Sequence, residues 1–203
     1  MRAKPLLLGA IAPVLVLAGV LVAFDAVRSP IPPLLPVIDD VGGDFELSRG
    51  GGARASLRDY RGRVVLLFFG YTHCPDVCPT TLYTLKLALD ELDKAAGQVQ
   101  VIMITVDPER DSPEHLEQYV RFFHPQFVGL SGTMKQIDQV ARQYRVHHQR
   151  GQPVPWGYSV SHSGYTYLLD KQGRVRALFG TGAKQTELAD SVRQLLQETA
   201  APG

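Results

Sequence analysis

Six apolar residues in succession, Val64-Val65-Leu66-Leu67-Phe68-Phe69, run straight into a loop that carries both cysteines of the chain, Cys74 and Cys78. A short run of this kind, without polar alternation, is the pattern of a strand buried on both faces. A second buried strand is expected at 99–106, and between the two Leu82, Leu85, Leu89 and Leu92 recur at helical spacing across 79–96. Further on, Ser112 caps a helix that Pro113 opens and that ends near 123–124. A short strand is expected at 127–130 and a helix capped by Thr133 at 134–144. The glycine- and proline-containing stretch 146–159 reads as a long loop. Strands at 165–169 and 175–179 pair across Asp170-Lys171-Gln172-Gly173, and an amphipathic helix covers 185–197. Upstream, 44–47 and 53–57 form a hairpin around a glycine turn. This order is an α/β layer pattern, thioredoxin-like, with an N-terminal β-hairpin extension and the thiols directly after the first central strand.

The start of the chain differs from the rest. Arg2 and Lys4 precede an apolar run at 5–24 that Asp25 and Arg28 close. About twenty residues suffice for a helix crossing the hydrocarbon core, so one transmembrane helix, or a signal peptide, is expected there. The positive-inside rule leaves residues 1–4 cytoplasmic. Residues 25–36, with Pro30, Pro32, Pro33 and Pro36, form a proline-rich, extended linker. The remaining domain, 37–203, is then expected in the periplasm, held to the cell inner membrane by the N-terminal helix. The net charge of +1 gives nucleic-acid binding no support.

With only two cysteines in 203 residues, no disulfide scaffold is available, and the spacing does not match a four-ligand zinc pattern. A residue before proline is pushed away from helical backbone, which applies to Cys74 before Pro75 and to Cys78 before Pro79. Cys74 is therefore expected in the loop. Cys78 is expected at or next to the helix cap, with Pro79 in the first turn. Both sulfurs approach the positive end of a helix dipole, which favours thiolate. Thiolate is both the form that attacks disulfides and the form that ligates metal, so a redox pair and a soft-metal site stay open. Copper(I) is selected by such ligands, and an imidazole would complete a three-coordinate site.

Six histidines are on offer. His73 adjoins Cys74 but points away if the backbone there is extended. His115 and His124 fall on a helix surface, and His147 and His148 open the long loop. His162 sits just before the 165–169 strand, and in a thioredoxin-like fold that position lies beside the thiols. Asp107, Glu109, Arg110 and Asp111 follow the second buried strand and read as a loop braced by ion pairs, with partner docking as the alternative. Trp156 and Tyr158 are loop aromatics that either contact a partner or cover the sheet.

Phe69-Gly70-Tyr71-Thr72-His73-Cys74-Pro75-Asp76-Val77-Cys78-Pro79 closely resembles the signature of the Sco (SenC) family. Val106-Asp107-Pro108-Glu109-Arg110-Asp111 is similar to that family's second motif, and Val160-Ser161-His162-Ser163 to its third. The resemblance implies a membrane-anchored, thioredoxin-like copper metallochaperone, with Cys74, Cys78 and His162 as ligands of Cu(I) and, in some members, Cu(II). It implies action on the CuA site of cytochrome c oxidase subunit II, with a copper donor chaperone or thioredoxin-like reductant as a further partner. It also implies an alternative, a thiol-disulfide reductase acting on the oxidase cysteines through Cys74 and Cys78. A thiol peroxidase of the same fold, with Cys74 attacking peroxide, is a third reading. One departure stands out: the family commonly has aspartate before the histidine, where this chain has Ser161. A carboxylate there is expected to orient the imidazole.

Overall fold

The computed structural model describes residues 35–155 and 157–198. The expected membrane span at 5–24, residues 1–4, most of the linker and Trp156 lie outside them. Among the described residues, no helix is long and apolar enough to cross a membrane. The expected hairpin is present as β1 (Glu46–Ser48) and β2 (Arg54–Ser56), antiparallel, with a 3-10 turn at Gly50–Gly52 between them.

The two apolar runs become β3 (Val64–Gly70) and β4 (Val99–Thr105), every residue of both being buried. They pair in parallel through the connecting helix α1 (Val77–Leu92). The rest of the chain supplies α2 (Pro113–Phe123), β5 (Val128–Leu130) and α3 (Met134–Gln143). There follow β6 (His148–Val154), β7 (Gly157–His162), β8 (Thr166–Leu169), β9 (Val175–Phe179) and α4 (Gln185–Gln197). The central sheet has the order β5-β4-β3-β8-β9; β8 runs antiparallel to the parallel trio, and β9, antiparallel to β8, runs in the trio's direction again. Helices α1 and α4 pack on each other, while α2 packs on β5 and on the glycine turn between β1 and β2. Double burial of β3 and β4 is why their sequence shows no alternation.

Three expectations are corrected. The stretch 146–159 is not a loop: β6 and β7 form a separate antiparallel hairpin, with a register shift between Arg150 and Pro153. Most of β6 is exposed, so no core face imposes the alternation by which a half-buried strand is recognised. Second, α1 begins at Val77, with Asp76 in the N-cap position but making no side-chain capping bond, so Cys78 lies inside the first helical turn. The leading N–H groups of a helix have no internal acceptor, so Pro79 sacrifices no bond there and the pre-proline bias is overridden. Third, α1 stops at Leu92 rather than 96, because Asp93 takes a left-handed φ of 47° and the chain continues as a 3-10 turn to Gln98.

Candidate metal and thiol site

The carboxyl ends of β3 and β4 carry the candidate groups, as is usual in α/β proteins. Gly70 closes β3, and a Cβ there would lie 2.9 Å from Cys78 Sγ and 2.6 Å from the Phe68 ring. Only glycine lets the helix start come down onto the strand end with its sulfur inward. Cys78 is fully buried; Cys74, in the loop, is half-buried. Both cysteines are free.

The two sulfurs influence each other and hold their protons unequally. Cys74 is held well below the ordinary thiol range, first by the hydrogen bond from Cys78 and then by those from His162 and the backbone of the helix start. Cys78 is pushed up because it donates to Cys74 and is buried. The arrangement is an accessible thiolate backed by a buried, protonated thiol.

His162 stands at the end of β7, its Nε2 3.7 Å from Cys78 Sγ. Its ring meets the edges of Phe68 and Tyr71 at centroid distances of 6.3 and 5.9 Å. Nδ1 lies 3.0 Å from the Ser163 carbonyl, which can only accept, so Nδ1 carries a proton and Nε2 is the nitrogen that faces the sulfurs. A backbone carbonyl thus performs the orienting role expected of a carboxylate at position 161. Strand alternation puts the exposed Ser161 on the opposite face of the hairpin.

Cys74, Cys78 and His162 are therefore brought together. They are not yet opened around a common point: among the described residues, no three His, Cys, Asp or Glu side chains form a set arranged to hold an ion. The other histidines turn elsewhere. His73 Nδ1 lies 3.0 Å and His115 Nε2 3.2 Å from the Thr72 hydroxyl. His124 Nδ1 accepts from the Gln126 N–H, His147 is exposed, and His148 Nε2 lies 3.1 Å from Asp138.

The loop after β4 is braced as expected, and it also braces the cysteine loop. Fully buried Asp111 accepts from the Thr72 N–H at 3.0 Å, the Thr72 hydroxyl at 2.5 Å and the Thr105 hydroxyl at 2.7 Å. Asp107 pairs with Arg110 and accepts from the Tyr158 hydroxyl at 2.7 Å. Tyr71 accepts at its hydroxyl from the Val160 N–H. Sequence reasoning missed Tyr71, Thr72 and the site-facing role of Tyr158. Recognition of β7 would have found Tyr158, which alternation puts on the same face as Val160 and His162.

A five-stranded sheet with a dithiol at the junction of its first central strand and following helix defines a thioredoxin-like protein with a redox-capable or metal-capable site. The SCO1/SenC family model matches residues 37–197, and the chain belongs to that family. The human protein SCO2 homolog, mitochondrial, is 40% identical over 155 residues, which are 75% of this chain and 58% of that one. The match thus spans little more than half of the human relative. A SCO2-like protein of Rickettsia conorii is 33% identical over 183 residues, covering 86% of this chain and 89% of the relative. The crystal structure of Arabidopsis thaliana ScoI with copper bound superposes with a TM-score of 0.73 at 36% identity, covering 78% of this chain and 99% of that one.

Proposed function

We propose that this chain carries copper as Cu(I) on Cys74, Cys78 and His162 and delivers it to the binuclear CuA site of cytochrome c oxidase subunit II. The observation that carries this reading is the 3.7 Å separation of Cys78 Sγ and His162 Nε2, with the Cys74 thiolate beside them. An ion held at about 2.3 Å from sulfur and about 2.0 Å from imidazole nitrogen in a trigonal plane sets those atoms about 3.7 Å apart. Thiolate and imidazole are donors suited to a soft ion, and a copper-bound relative of the same fold supports the choice. Loading releases the Cys78 proton, since a metal takes the thiolate. A copper donor chaperone fills the site, and the N-terminal segment holds the domain at the periplasmic face of the inner membrane. Titration of the reduced, metal-free chain with Cu(I) against a chromophoric chelator tests the site. About one copper per chain is expected, lost in Cys74→Ser and Cys78→Ser and weakened at least about tenfold in His162→Ala. Unchanged affinity in His162→Ala overturns the three-donor site.

The proton asymmetry of the sulfurs favours a second reading, reduction of the oxidase disulfide. The half-buried Cys74 thiolate attacks one sulfur of that disulfide and forms a mixed disulfide. Cys78, losing its proton to the departing thiolate, attacks Cys74. The products are a reduced oxidase dithiol and a Cys74–Cys78 disulfide, which a thioredoxin-like dithiol reductant must reopen. Reduction of an oxidised CuA-domain peptide that survives His162→Ala supports this reading, and loss of reduction in that variant removes it.

A further inference from the structure

The hairpin that carries His162 is not part of the five-stranded sheet. What fastens it to the body is local. The Tyr158 ring has the Arg110 guanidinium 3.7 Å from its centroid and the Arg150 guanidinium 3.6 Å from it. Two like charges that close to one centroid cannot share a face, so the ring is clamped between them. Each cation over an aromatic face is an attractive contact that strengthens when shielded from water. The Tyr158 hydroxyl donates to Asp107, and Arg150 reaches Glu109 at 3.2 Å, which ties both hairpin strands to the loop after β4.

Arg110 is placed for this ring. It bonds Asp107 through Nε, yet its two terminal nitrogens are buried without a hydrogen-bond partner among the described residues. Burying such donors unpaired is unfavourable, and the stack on Tyr158 is the compensating contact. Tyr158, Val160 and His162 share one face of β7, so a fixed Tyr158 fixes the aim of His162 four residues on.

We propose that Tyr158, clamped between Arg110 and Arg150, is the positioning residue that holds His162 against the cysteine pair. The consequence for copper rests on His162 being a ligand; the consequence for the geometry does not. In the purified, reduced, metal-free chain, the His162 ring protons are shifted by the Tyr71 and Phe68 rings and can be followed by NMR. In Tyr158→Leu these shifts move toward those of an exposed histidine, whereas Tyr158→Phe, which keeps the stack, retains them. Cu(I) affinity falls about ten- to a hundredfold in Tyr158→Leu, and His162→Ala combined with it loses no more than His162→Ala alone. Wild-type shifts in Tyr158→Leu, or additive losses in the double variant, overturn the clamp. Should Tyr158→Leu fail to fold, Arg110→Gln and Arg150→Gln each remove one face of the clamp and carry the same comparison. Shifts that follow Tyr158 while His162→Ala leaves Cu(I) affinity untouched sink the copper reading and leave the clamp standing.

Discussion

Cys74 and Cys78 differ by position alone. One lies in a half-buried loop and accepts hydrogen bonds; the other lies in a sealed helix turn and donates one. Because the Cys74 shift is downward, its thiolate persists at neutral and mildly acidic pH and is lost only as pH falls far below the ordinary thiol range. Its alkylation by iodoacetamide should be nearly flat between about pH 6 and about pH 8, where an ordinary thiol gains about tenfold per unit. Cys78→Ala removes the main donor and should restore the ordinary slope. Asp111 is the other residue whose role follows from burial. Asp111→Ala strands the Thr72 and Thr105 donors and should cost about 3 kcal/mol in urea unfolding. At this scale the sequence displayed the cysteines and His162 as donors. It did not display which thiol keeps the proton, because that depends on burial.

Elements differ in how plainly they announce themselves. Strands β3 and β4 were legible because double burial writes a largely apolar run without alternation, unbroken in β3 and interrupted only by Gln100 and Thr105 in β4. Helix α3 was legible from its cap: Thr133 accepts from the Gln136 N–H, and the Gln136 side chain returns the bond to the Thr133 N–H. The β6–β7 hairpin was not legible, since an exposed ribbon with glycine and two prolines in its vicinity has no periodic signature. The missed hairpin carried a cost for the site, because it hid that Tyr158 and His162 share a face. The junction of β3 and α1 is tightly packed. Gly70→Ala drives a methyl against Cys78 Sγ and the Phe68 ring and should cost about 2 kcal/mol, read as a lower urea midpoint with unchanged m-value.

Across the domain, one ion network closes the far side of the fold. Arg176, almost fully buried in β9, bonds Asp170 after β8, Glu198 after α4 and the carbonyls of Leu35 and Pro36. Burial alone would raise the Asp170 carboxyl. Hydrogen bonds from the Arg174 backbone and guanidinium, and then from Arg176, outweigh it and hold the group below the ordinary carboxylate range. Its contribution is therefore complete above the unfolded carboxylate pKa of about 3.9 and is lost as pH falls through the lower folded value. The urea midpoint should hold from neutral pH to about pH 5 and fall below about pH 4, and Asp170→Asn should lower the plateau and flatten that fall. Readable along the chain were the strand–helix–strand order, the thiol loop at its centre and the family, because periodicity, caps and motif spacing are set by neighbours in sequence. Packing set the rest: the meeting of His162 with a sulfur 84 residues away, the carbonyl that orients its ring and the two arginines around Tyr158. Those arise where separate elements pack, and side chains distant in sequence leave no periodic trace of the neighbours that packing gives them.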